Sequence, residues 1–256
     1  SHLDQYQKEA YWSLMKIARQ HGGAFLCDGV GLGKTFVGLM LIERMILHEG
    51  KRVVLFAPKA TKEGVWEPHL RKWLPHIGGL GGGVDFSNLA VFSHTDLDRE
   101  GEFPKRFRRI AELADVVIID EAHHFRNPGI KGEGVKAPSR YRLLQEYLKS
   151  SERPKQVYCL TATPINNSIH DLRHTIELFT GGNESHFAST LGIHNLRRHF
   201  IDLEKEILDE LPSAQQLDLF REEERWKAER ALRTDKVFGA LVVQRSRAYV
   251  KESQRL

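Results

Sequence analysis

The sequence predicts an α/β fold: a parallel sheet covered by helices on both faces. Several short β-branched runs stand between helical patterns, and these runs are nearly continuous in apolar residues, as strands buried on both faces require. The segments between them suit right-handed crossover helices.

The strands are expected at 23–27 (GAFLC), 52–58 (RVVLFAP), 89–93 (LAVFS), 115–120 (DVVIID) and 156–163 (QVYCLTAT). Ser139 is placed to cap a helix carrying Leu143, Leu144, Tyr147 and Leu148. Ile165, Ile169, Leu172, Ile176 and Phe179 recur at the spacing of a second helix. From about His186 to Lys236 the sequence is rich in charge, with Leu203, Ile207 and Leu211 on one helical stripe. This predicts a lobe over 1–182, a helical insertion over 183–237 and a return segment over 238–256, with 239–245 (GALVVQR) as a further strand. The glycine-rich 78–83 is expected to be a loop, since no Lys-Ser/Thr pair or helix start follows it.

The 256 residues, 41% hydrophobic and 28% charged, suffice for a sizeable core. A net charge of +4 is compatible with a polyanionic partner without requiring one. Cys27 and Cys159 lie in apolar runs and form neither a disulfide framework nor a zinc spacing, which points to a reducing, intracellular compartment. No apolar run has the roughly 20 residues that span a bilayer, and the N-terminus lacks signal-peptide features. The chain starts without methionine and is expected to be part of something longer.

Three stretches carry chemistry. In FLCDGVGLGKT, Gly29, Gly31 and Gly33 let backbone N–H groups turn around a phosphate at the start of a helix. Lys34 then reaches the β and γ phosphates and the Thr35 hydroxyl binds Mg2+. The general phosphate-loop pattern fails at its first position, Asp28. In VVIIDEAHHFRN, a strand delivers Asp120 and Glu121 at its carboxyl end, where open parallel sheets bind ligands. Asp120 can hold Mg2+ directly or through water, and Glu121, pointing elsewhere, can orient and polarise the attacking water. In LTATPINN, Thr161 and Thr163 can hydrogen-bond toward the carboxylates, with His123 as relay.

Together these residues resemble the first, RecA-like P-loop ATPase lobe of superfamily-two helicase-like motors, and more narrowly the Swi/Snf-type DNA translocases. That family carries Asp at the position of Asp28, although Gly29 and Val30 replace its usual acidic and methionine residues. DEAHHFRN and LTATPINNSIHDL resemble its acidic and coupling motifs, and LDQYQKEA its adenine-contacting segment, which implies that Gln7 reads the base. APKA (57–60) and FSHTDL (92–97) fall where the family touches the nucleic-acid backbone. VVQRSRAYV resembles the arginine-rich element that closes the first lobe. The resemblance implies ATP and Mg2+ as cofactors, with Asp28, Gly29, Val30, Gly31, Leu32, Gly33, Lys34 and Thr35 cradling the nucleotide. It also implies double-stranded DNA as partner, a second RecA-like lobe of the parent chain that this sequence lacks, and a cytoplasmic or nucleoid-associated location. An isolated first lobe is expected to bind nucleotide weakly and hydrolyse it poorly. A strand-separating helicase, a restriction-type motor and a nucleotide-responsive binding module without turnover stay open.

Other signals carry less. His170 and His174 stand at i and i+4, yet the glutamate of a zinc-protease helix is missing, so they are read as ordinary polar-face histidines. The basic run 105–109 and Arg197–Arg198 are read as solvated helix faces, and Trp66 and Trp73 as packing residues.

Overall fold

The computed structural model describes residues 4–245 apart from 30, 32, 78–87, 127, 130–137, 150–152, 164, 166–167 and 212–215. Six strands form one sheet: β1 (Gly23–Cys27), β2 (Val53–Ala57), β3 (Leu89–Ser93), β4 (Val116–Asp120), β5 (Gln156–Thr161) and β6 (Val242–Val243). Their order is β3-β2-β4-β5-β1-β6, and every pairing is parallel. The five strands expected from the apolar runs are all present. β1 to β4 are buried at every residue, as strands covered on both faces must be.

The two-residue pleat divides the core into two layers. On one face Ala24, Leu26, Val53, Leu55, Val116, Ile118, Tyr158 and Leu160 join the apolar stripes of three helical units. These are α1 (Gln5–His21), α2 (Lys34–Glu43) with its π-helical extension Arg44–His48, and a continuous run from Lys59. That run comprises α3 (Lys59–Thr61), a π turn (Lys62–Trp66) and α4 (Glu67–Trp73). On the other face Phe25, Cys27, Val54, Phe56, Val117, Ile119, Val157 and Cys159 pack against α5 (Phe103–Leu113), α6 (Arg140–Lys149) and α7 (His170–Thr180). Both cysteines lie in this layer, where burial pushes their thiols up.

Ser139 starts α6 as expected: its hydroxyl accepts from the Arg142 N–H at 3.3 Å. α7 begins later than its periodicity suggests, so that Ile165 and Ile169 are buried but precede it.

Residues 183–237 hold α8 (Ala188–Leu191), α9 (Leu196–Asp209), α10 (Glu222–Thr234) and the first two residues of α11 (Lys236–Leu241). Leu203 and Ile207 are buried on one stripe of α9, as their spacing predicts. Phe187, Phe200, Ile207, Leu232 and Leu241 belong to the same apolar layer as Phe25 and Cys159. These helices therefore share the core of the sheet.

The strand expected over 239–245 is a correction. Asp235 caps α11 by accepting from the Phe238 N–H at 2.9 Å, and Val237, Phe238 and Leu241 turn inward at helical spacing. Gly239 to Leu241 are thus helical, and only Val242 and Val243 pair with Phe25 and Leu26 of β1.

Candidate nucleotide-binding site

The register sets the site. In β1 and β5, Cys27 stands opposite Thr161, and in β4 and β5, Asp120 stands opposite Leu160. β5 lies between the other two strands, so the loop after Cys27, the Asp120–Glu121 pair and the Thr161 turn emerge side by side at one carboxyl edge. APKA and FSHTDL leave β2 and β3 on that edge too.

The loop after β1 bends at Gly31 (φ 84) and Gly33 (φ 79) and enters α2 at Lys34. The φ of Gly33 is one that side chains rarely adopt, and a Cβ there would stand 2.2 Å from the Gln7 amide nitrogen, so Gln7 lies close against the loop backbone. Gln7 is itself fixed, its amide oxygen accepting from the Asp4 N–H in a capping box. Lys34 Nζ donates to the Asp28 carbonyl at 2.8 Å. Gly29 lies in this loop and Thr35 in the first turn of α2; Val30 and Leu32 are outside the described residues.

The Asp28 side chain does not face the loop interior. It is fully buried and accepts from Arg245, whose backbone N–H and Nε reach Oδ1 at 3.1 and 3.2 Å while Nη2 reaches Oδ2. The same guanidinium lies over the Tyr6 ring, 4.9 Å from its centroid, and donates to the Tyr6 carbonyl. Asp28 thereby ties the end of β6 and the start of α1 to the glycine loop. Residues 246–250 of the arginine-rich element are outside the described residues.

Asp120 and Glu121 point apart. Asp120 is 8% exposed; its Oδ2 accepts from the Trp66 indole N–H at 2.8 Å and its Oδ1 from the Glu121 N–H at 3.1 Å. Burial pushes the Asp120 carboxyl up. Glu121 takes the left-handed backbone (φ 50), alone among the described non-glycine residues. This turn swings its carboxylate to His123, whose Nδ1 lies 3.1 Å from Glu121 Oε2. The hydrogen bond from His123 is the main reason its carboxyl is held below the usual range.

His123 Nδ1 is also 3.1 Å from Thr161 Oγ1. Thr161 Oγ1 donates in turn to the Thr163 carbonyl at 3.0 Å. The structure thus brings Glu121, His123, Thr161 and Thr163 into one chain of contacts.

The discounted signals have structural partners. His174 is half-buried, and desolvation drives it down to about 4, hence neutral; its Nδ1–H donates to the Arg126 carbonyl at 2.9 Å and its Nε2 accepts from Arg173 at 2.7 Å. His170 meets Glu204 at 3.2 Å, and no group of three metal-ligating side chains occurs among the described residues. Lys105, Arg108 and Arg198 pair with Glu102, Glu146 and Asp202 on helix surfaces. For two site residues the sequence reading missed the contact that places them in the site. Trp66 carries only a packing signal, and Arg245 reaches Asp28 across 217 positions of sequence.

An all-parallel sheet that ends its strands in a glycine loop, a carboxylate pair and a threonine turn defines the RecA-like lobe of helicase-type ATPases. The SNF2-related domain family matches residues 6–211, and the chain belongs to it as a Snf2-type ATPase lobe. It is 30% identical over 182 residues to the uncharacterized ATP-dependent helicase YqhH of Bacillus subtilis (strain 168), covering 67% of this chain and 29% of that protein. It is 27% identical over 164 residues to the RNA polymerase-associated protein RapA of Vibrio vulnificus (strain YJ016), covering 58% of this chain and 16% of RapA. The chain thus spans less than a third of these relatives. The Sulfolobus solfataricus SWI2/SNF2 ATPase core in complex with dsDNA has the same fold, with a TM-score of 0.62 at 18% identity over 98% of this chain and 46% of that one. The same core, solved as the ATPase core domain, gives a TM-score of 0.62 at 17% identity, over 98% of this chain and 45% of its own. No helix among the described residues is long and apolar enough to cross a membrane.

Proposed function

We propose that the chain is the N-terminal ATPase lobe of an ATP-dependent double-stranded DNA translocase, acting with a second RecA-like lobe of its parent protein. The observation that carries this reading is His123, in reach of both Glu121 and Thr161. It joins the hydrolytic carboxylate to the turn that leaves the neighbouring strand.

The residues fit ATP and Mg2+. Gly33 permits a backbone that side chains rarely adopt, the N-terminus of α2 favours an anion, and Lys34 adds a positive charge. Thr35 and Asp120 would hold the ion, Asp120 directly or through water, and Gln7 would read the adenine. When bound, Mg2+ neutralises phosphate charge.

The chemistry of the chain itself centres on Glu121, whose carboxylate accepts a proton-bearing edge of the attacking water and orients it. The His123 Nδ1–H can serve either Glu121 or Thr161. A shift of the Thr161–Thr163 turn that captures this N–H releases Glu121 for the water. One that returns the N–H holds Glu121 aside. Motion at the coupling turn thereby gates the carboxylate, and closure of two lobes on a duplex would supply that motion. Contacts from the strand-end segments to phosphates would be independent of sequence and sensitive to salt.

The dsDNA complex of the structural relative favours the duplex as substrate. The parent protein should displace a triplex-forming strand from duplex DNA in an ATP-dependent manner without separating the duplex. Strand separation would make it a helicase, and ATP binding with neither activity would make it a nucleotide-responsive binding module.

A further inference from the structure

Trp66 is fully buried, yet its ring does more than fill space. Its indole N–H donates to Asp120 Oδ2 at 2.8 Å, a hydrogen bond inside the core. The far edge of the ring lies against α2: a Cβ on Gly38 would stand 2.5 Å from Trp66 Cη2 and 3.3 Å from Cζ3. That Cβ would also come within 3.2 Å of Leu160 on β5, so the ring has no slack on this side. Trp66 ends the π turn Lys62–Trp66, inside the helical run that begins at Lys59 directly after β2. One side chain therefore connects the run leaving β2, the helix leaving the glycine loop and the carboxylate ending β4.

The second Asp120 oxygen accepts from the Glu121 N–H, so a hydrogen bond orients each carboxylate oxygen. Carboxylates that hold metal ions are commonly fixed in this way by groups that do not touch the metal, and losing such a group weakens the metal site. We propose that Trp66 is a positioning residue, setting the Asp120 carboxylate for a divalent cation and transmitting to it the position of the helical run 59–73. This rests on the metal-holding role proposed for Asp120.

The test replaces the indole of Trp66 in the full-length parent protein with benzothiophene, by incorporating 3-benzothienylalanine. The shape is kept and the N–H becomes sulfur. Anisotropy of a fluorescent ATP analogue, titrated with Mg2+, reads the metal dependence of binding without turnover. The Mg2+ concentration for half-maximal tightening should rise about tenfold or more, with nucleotide affinity in the absence of Mg2+ and the melting temperature unchanged. An unchanged Mg2+ requirement overturns the positioning role and leaves the proposed function standing. If the wild type binds nucleotide without any Mg2+ dependence, the role of Asp120 falls and this inference with it. Should the variant not fold, exchange of the Trp66 indole N–H in the wild type decides: protection that increases with Mg2+ and nucleotide supports the role, and protection that does not change overturns it.

Discussion

His94 is 3% exposed, and neither ring nitrogen has a hydrogen-bond partner. It packs edge-on to Phe125 at 4.7 Å and beside His124 at 5.4 Å. Burial, reinforced by His124, drives it down to about 4. The Asp120 carbonyl nudges that value up from nearby, yet it lies outside hydrogen-bond geometry. The neutral ring is therefore favoured in the folded state, so its contribution is present above the unfolded value near 6.5 and is lost as pH falls through about 4. His94→Phe should raise stability at pH 7 by about 1–2 kcal/mol, because two buried nitrogens without partners are removed. It should also flatten the loss of stability between pH 6.5 and 4. Chemical denaturation across that range measures both, and a destabilised variant at pH 7 would show that the nitrogens are satisfied. At this scale the legible residues were those whose chemistry follows directly from a strand end: Lys34, Asp120, Glu121, His123 and Thr161. The contacts of Trp66 and of Arg245, read only as a packing residue and as part of the arginine-rich element, were illegible because their partners, Asp120 and Asp28, lie 54 and 217 positions away and leave no local pattern. Asp28 was legible as a family feature but not in its role, since only the fold reveals Arg245 opposite it.

Strands were read well because burial on both faces writes continuous apolar runs, which five of the six elements display. The start of β6 was placed three residues early because a short apolar run fits a buried helix as well as a strand, and the deciding feature is the Asp235 cap of α11, the helix that directly precedes the valines. The segment 183–237 was read as a helical insertion from its charge and from the stripe of Leu203, Ile207 and Leu211, which marks a buried face without saying which layer it joins. Phe200 in α9 is completely buried in the layer that contains Phe25 and Cys159. Phe200→Ala should therefore cost the whole lobe about 3–5 kcal/mol. Urea unfolding followed by a probe on the sheet tests this, and a loss confined to the helices, with the sheet transition unmoved, would mean that they form a separate unit.

In the whole molecule, the parallel order places three motifs that are far apart in sequence at one edge, and His123 links two of them. That arrangement was predictable in kind, since parallel α/β sheets bind ligands at their carboxyl ends. The linkage itself was legible only as a possible relay, because it depends on the left-handed turn at Glu121. On the proposed function, this edge hydrolyses ATP under the control of a polymer. The most direct test is the ATPase rate of the full-length parent protein alone and with duplex DNA, single-stranded DNA and RNA, with Glu121→Gln as control. Stimulation chiefly by duplex DNA, abolished in the variant, is the predicted result. A rate that no polymer changes, or one that survives Glu121→Gln, would contradict it.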